Sequence, residues 1–102
     1  MTKPMQVEKL AGDGGAGRYV ARIEGIDGEA ELTFSIRGAS LISADHTGAP
    51  DSMHGTGAAL ALVNAMIADA RSAGFKIIPT CPYVLAQFKK HPEWNDVLGA
   101  DL

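Results

Sequence analysis

The sequence has a single cysteine, Cys81, among 102 residues. One thiol excludes an internal disulfide framework and, with no export signal in view, points to a reducing cytoplasm. Long apolar runs are missing as well: the longest break well before the ~18 residues that suggest a membrane-spanning helix. The opening stretch, MTKPMQVEKL, lacks the apolar core of a signal peptide. There is no excess of basic residues either. Nine Lys and Arg stand against twelve Asp and Glu, a net charge of −3. That balance argues against general nucleic-acid binding, which needs a basic footprint to replace phosphate counterions. The Lys89-Lys90 pair reads as a solvated helix face. With one Cys and three His at no recognised ligand spacing, no metal site is expected. Internal repeats and low-complexity segments are absent too.

What remains is an ordinary globular composition, 46% apolar and 21% charged. Residues 1–102 are expected to form one domain, which at this length buries somewhat over ~60% of the surface its unfolded form exposes. The first half of the chain has the period of strands. MQVEKLAG carries Met5, Val7 and, less regularly, Leu10; GRYVARIEG sets Tyr19, Ala21 and Ile23 against Val20, Arg22 and Glu24. GEAELTFSIRG repeats the alternation with Ala30, Leu32, Phe34 and Ile36. Gly25 and Gly28 in GIDG punctuate these last two strands as an antiparallel hairpin, and SLISADHT supplies a fourth strand after RGAS.

The second half changes period. From Ala58 to Ala73, a step of ~100° per residue gathers Leu60, Leu62, Val63, Met66, Ile67 and Ala70 on one arc. Gly74 comes next as a C-terminal cap. FKIIPTC then reads as a short buried strand, and strand-helix-strand order predicts that it runs parallel to the fourth. PYVLAQFKKH begins a last helix with Pro82 at a permitted first position and ends it with Lys89, Lys90 and His91 at the negative end of the dipole. The tail PEWNDVLGADL is expected to pack Trp94 and Val97 through a short helical turn.

Two glycine-rich stretches invite a ligand. GDGGAG, Gly12 to Gly17, formally satisfies G-x-G-x-x-G, but it runs into a strand rather than a helix and so reads as a hairpin loop. HGTGAA, His54 to Ala59, lies between a strand and the long helix. Gly55 and Gly57 remove side chains that would keep an anion from the N–H groups of the first turn. No Lys-Ser or Lys-Thr pair comes after it, so nucleotide hydrolysis of the P-loop kind is unsupported. Spacing alone leaves both a plain helix start and an anion cradle standing.

HGTGAA resembles the acyl-CoA pyrophosphate loop of the GNAT acetyltransferase superfamily, with His54, Gly57 and Ala59 in its Arg/Gln, Gly and Gly/Ala places. HTGAPDSMHGTGAA, with IPTCPYVLAQFKKHPEW after it, is similar more specifically to the short GNAT-like family that reads HTEVP…RGKGIA and later CxY. The likeness is clearest from His46 to Trp94. It implies a minimal α/β (α+β) fold: a mostly antiparallel mixed sheet of about five strands with two main helices, in the order β-β-β-β-α-β-α. It also implies acetyl-CoA as cofactor and an amine as acceptor, with pyrophosphate on His54, Gly55, Thr56, Gly57, Ala58 and Ala59. Cys81 would lie where GNAT folds splay the fourth and fifth strands; it is either a transient acetyl carrier or a small buried hydrophobe. Tyr83 is a candidate to protonate the leaving CoA thiolate, and His46 a candidate base for the amine; each is equally readable as an ordinary packed or strand-end residue.

The chain departs from the family pattern at three places: Gly48 stands for Glu, Ala49 for Val and His54 for Arg. Without the Arg, CoA affinity is expected to fall as pH rises through the imidazole's titration. Without the Glu, a CoA-binding module with little turnover stands as an alternative to an N-acetyltransferase, beside a structural or interaction protein.

Overall fold

The alternating first half folds as expected into a meander. The computed structural model describes residues 5–99; the last three residues of the expected tail lie outside them. Strands β1 (Met5–Ala11), β2 (Ala16–Ile23), β3 (Ala30–Gly38) and β4 (Leu41–Gly48) pair antiparallel in sequence order. GDGGAG closes the first hairpin through a single turn at Asp13–Gly15, with Gly14 and Gly15 at positive φ. Helix α1 (Ala58–Ala73) then crosses to β5 (Lys76–Pro79), which lies parallel to β4. Helix α2 (Pro82–Lys90) and a 3-10 segment at Pro92–Val97 complete the chain. The result is a mixed five-stranded α+β sheet of order β1-β2-β3-β4-β5.

One face of this sheet carries the core. Tyr19, Ala21 and Ile23 of β2, Ala30, Leu32 and Phe34 of β3, and Ile42 and Ala44 of β4 meet Leu62, Val63, Met66, Ile67 and Ala70 of α1. Burying each large apolar side chain contributes about 1.5–3 kcal/mol. Leu60 is only partly buried against this cluster. Val84 and Phe88 of α2 join it with Trp94 and Val97 from the tail, and the Phe88 and Trp94 rings meet edge-on with centroids 5.7 Å apart. Gly74, at φ 82, ends α1 by donating its N–H to the Ala70 carbonyl at 2.9 Å.

The opposite face carries no helix among the described residues. Gln6, Glu8, Arg18, Arg22, Glu31 and Thr33 share it by register. Val20 also points this way yet is 1% exposed, flanked across the strands by Glu8 and Glu31. Arg18 and Arg22 reach Glu29 and Glu31 at 2.9–3.1 Å across this surface. No helix among the described residues is long and apolar enough to cross a membrane.

Two irregularities break the regular ladder at one end of β4. Thr33 faces His46 but Phe34 faces Ala44, so Asp45 is an extra residue, a β-bulge in β4. The pairing of β4 with β5 stops at Ala44 opposite Pro79, while β4 runs on to Gly48 beside β3 alone. Beyond Ala44 the two parallel strands therefore part and leave a fork.

Candidate functional site

The fork opens at the carboxyl end of the parallel pair, where both strands lead into helices. In open sheets this end is the usual place for ligands, because helix N-termini converge on it. The Cys81 N–H makes the last backbone link between the two arms, donating to the Ala44 carbonyl at 2.8 Å. The Thr80 hydroxyl donates to the same carbonyl at 2.7 Å. Both strands are thus tied together at the point where they diverge.

Cys81 is the N-cap of α2, with Pro82 at the first helical position. Its thiol donates to Thr47 Oγ1 across 3.4 Å, from one arm of the fork to the other. The side chain is 4% exposed. Burial pushes the thiol pKa up, but the Thr47 hydroxyl and the N–H groups of Val84, Tyr83 and Thr47 outweigh it, and the net shift is downward. The end of a helix thereby favours a thiolate.

Tyr83, two residues on, is partly buried against the core, and burial raises its hydroxyl above the ordinary phenol value. His46 lies elsewhere. Residues directly opposite one another in a sheet share a face, so pairing with Thr33 puts His46 on the helix-free side, exposed. Thr47, opposite Leu32, turns to the core side and meets Cys81. The structure thus brings Cys81, Thr47 and the start of α2 together and sets His46 on the other face of the same strand. A Cβ placed on Gly48 would stand 3.3 Å from His46 Nε2. The imidazole leans over the glycine and occupies room that a larger residue there would contest.

The HGTGAA loop leaves β4 through a 3-10 turn, Asp51–Met53, that buries Met53. The N–H groups of His54 and Thr56 donate to the Asp51 and Met53 carbonyls at 3.1 and 3.2 Å. Thr56 Oγ1 donates to the Met53 carbonyl at 2.6 Å and accepts from the Ala58 N–H at 3.3 Å. The N–H groups of Gly55, Gly57, Ala59 and Leu60 make no hydrogen bond to the described residues. Such free donors are what a helix N-terminus offers an anion. Gly55 and Gly57 adopt φ 77 and 81, and a Cβ built on either meets nothing within 4 Å. The loop is therefore open where a side chain would project from either glycine. His54 is exposed and lies 3.7 Å from Asp51 Oδ1. Among the described residues, no three His, Cys, Asp or Glu side chains gather as a metal site.

Sequence reasoning did not reach Thr47, Thr80 or Asp45. The last has the Ser35 and Ser43 hydroxyls donating to its carboxylate at 2.5 and 2.6 Å, and Thr80 Oγ1 lies 3.3 Å from it. Regular alternation along SADHTG would have kept Thr47 on the face of Ser43 and Asp45; only the bulge sends it to Cys81.

A mixed sheet forked at its parallel pair, with a glycine loop opening the crossover helix, is the minimal α+β arrangement that the resemblance implies. The sequence matches the family described as GCN5-related N-acetyl-transferase over residues 18–97, and the chain belongs to that family. No curated protein matches it.

Proposed function

We propose that this chain transfers an acetyl group from acetyl-CoA to an amine. The observation that carries this reading is the fork beyond Ala44 and Pro79. It sets a polarised thiol and a hydroxyl at the same end of the sheet as the free N–H groups of the α1 loop. Pyrophosphate is held by the N–H groups of Gly55, Gly57 and Ala59, with His54 beside them; the pantetheine arm runs along β4 into the fork toward Cys81.

The chemistry needed is mild, because a thioester is already activated and the protein has mainly to orient two partners and manage two protons. In direct transfer the amine nitrogen attacks the acetyl carbonyl carbon, the bond from that carbon to the CoA sulfur breaks, and the amine loses a proton. The CoA thiolate takes one up, with Tyr83 as the donor. In the covalent route the Cys81 thiolate attacks first, CoA leaves, and the amine then displaces the cysteine. The lowered thiol pKa supports the second route. Gly48, which offers no carboxylate at the end of β4, favours one other reading: a CoA-binding module with little turnover.

Acetyl-CoA incubated with the protein and a panel of primary amines separates these. The proposal expects CoA thiol release that depends on the amine. An acetyl adduct in the intact mass, absent in Cys81→Ala, identifies the covalent route, whereas release without an adduct identifies direct transfer. Binding of acetyl-CoA without release for any amine would replace the enzyme reading by the binding one.

A further inference from the structure

The bulge in β4 does more than redirect Thr47. It places two consecutive residues, Asp45 and His46, on the helix-free face: Asp45 bonds Ser35 and Ser43, which face each other in register, and His46 stands opposite Thr33. Bulges re-aim side chains in this way and recur beside active sites. Asp45 sits where the strands part, since Thr80 Oγ1, which donates at 2.7 Å to the Ala44 carbonyl that receives the Cys81 N–H, lies only 3.3 Å from Asp45 Oδ1.

The surroundings of Asp45 differ from those of the neighbouring carboxylates. Glu29 and Glu31 are neutralised by Arg18 and Arg22 at 2.9–3.1 Å. Asp45 instead takes neutral hydroxyl donors, one of them on Ser43, which is 0% exposed, and its nearest guanidinium atom, Arg37 Nη2, is 3.9 Å away. Arg37 spends its Nε–H on Ser43 Oγ at 2.9 Å. Hydroxyl donors hold a carboxylate in its charged form without cancelling the charge. About a third of the Asp45 side chain, 31%, still reaches solvent. The open face therefore carries a fixed negative charge at the back of the fork, only loosely screened by an exposed arginine.

We propose that the acceptor enters from the helix-free face and that Asp45 binds its protonated amine. This rests on the acetyl-transfer reading for the word acceptor, but the amine site itself requires no CoA. The substrate class is a primary alkylamine carried as its ammonium ion. Binding by Asp45 holds the ammonium; one N–H proton must then pass to a ring nitrogen of His46, on the same face, before the freed lone pair can attack. Arg37 opposes the ammonium by its own charge, so it limits affinity.

The test uses the full chain without CoA, with amide shifts recorded while n-butylammonium is added and n-butanol as its neutral counterpart. Saturable shifts at Ser43, Asp45, His46 and Thr80 are expected for the ammonium alone. Asp45→Asn should weaken binding tenfold or more, and Arg37→Gln should strengthen it severalfold. Equal shifts with butanol, or undiminished affinity in Asp45→Asn, would overturn the assignment. Should Asp45→Asn not fold, Arg37→Gln decides: unchanged affinity there also overturns it. Acetyl-CoA added to the same samples reports at Gly55 to Ala59, so loss of the cofactor reading is seen separately from loss of the amine site.

Discussion

His54 stands where the family pattern has arginine, at the entrance to the glycine loop, and its side chain is 73% exposed with only Asp51 nearby. A histidine is charged for part of the neutral range, whereas an arginine is charged throughout. His54→Arg is therefore expected to tighten acetyl-CoA by about 1 kcal/mol, roughly fivefold, a modest figure because the site is open to water and salt. Isothermal titration of both proteins with acetyl-CoA measures this. Equal affinities for the two would mean that His54 does not face the pyrophosphate. Cys81 is the other residue whose setting is specific: burial alone would raise its thiol pKa, and the donors around it reverse that sign.

Among the elements, α1 is fastened to the sheet by more than its apolar stripe. Asp69, on the polar arc of the helix, accepts from Tyr19 Oη at 2.6 Å and Lys9 Nζ at 2.7 Å, so a single carboxylate links the helix to β1 and β2. Burial would raise the Asp69 pKa, but the bonds from Lys9 and Tyr19 outweigh it and hold it low. Burial, then the bond to Asp69, pushes the Tyr19 hydroxyl well above the ordinary phenol value. Linkage sets the sign of each effect on stability. The Asp69 contribution is present above the unfolded carboxylate value, near ~3.9, and is lost as pH falls through its lower folded value. The Tyr19 contribution is complete below the unfolded phenol value, near ~10, and is lost as pH rises beyond it. Asp69→Ala leaves the Tyr19 hydroxyl unpaired and should cost about 1–3 kcal/mol. Urea midpoints measured across pH should show a shallower acid-side fall in Asp69→Ala than in the wild type; identical profiles would show that the link contributes nothing.

The same elements show how far the sequence reaches. Strands β2 and β3 were legible because alternation survives wherever one face is buried, and α1 because its apolar arc and Gly74 cap are local features. GDGGAG was legible as a turn because the strand-patterned RYVARIEG comes directly after it. The bulge at Asp45 was not. It depends on how β3 and β4 pair across the sheet, which no period within SADHTG records. Its consequences, Thr47 against Cys81 and Asp45 beside His46, were hidden for the same reason. The burial of Val20 on the polar face was hidden too, since it arises from flanking residues on other strands.

Among the described residues, α1 and α2 pack on one side of the sheet, and the other carries mainly charged and hydroxyl side chains with Val20 buried among them. The fork joins the two sides. Cys81 and Thr47 meet at the fork on the helix side, and Asp45 and His46 lie on the open side of the same strand; on the proposed reading the two substrates reach it from opposite sides. Family membership and fold establish a domain of the acetyltransferase family, and the proposed reading puts acetyl-CoA at the glycine loop and the fork. Titration of the ¹⁵N-labelled protein with acetyl-CoA tests this residue by residue. The placement predicts saturable shifts at Gly55, Gly57 and Ala59 together with Thr47 and Cys81, and little change on β1. An unperturbed loop at millimolar acetyl-CoA would contradict it.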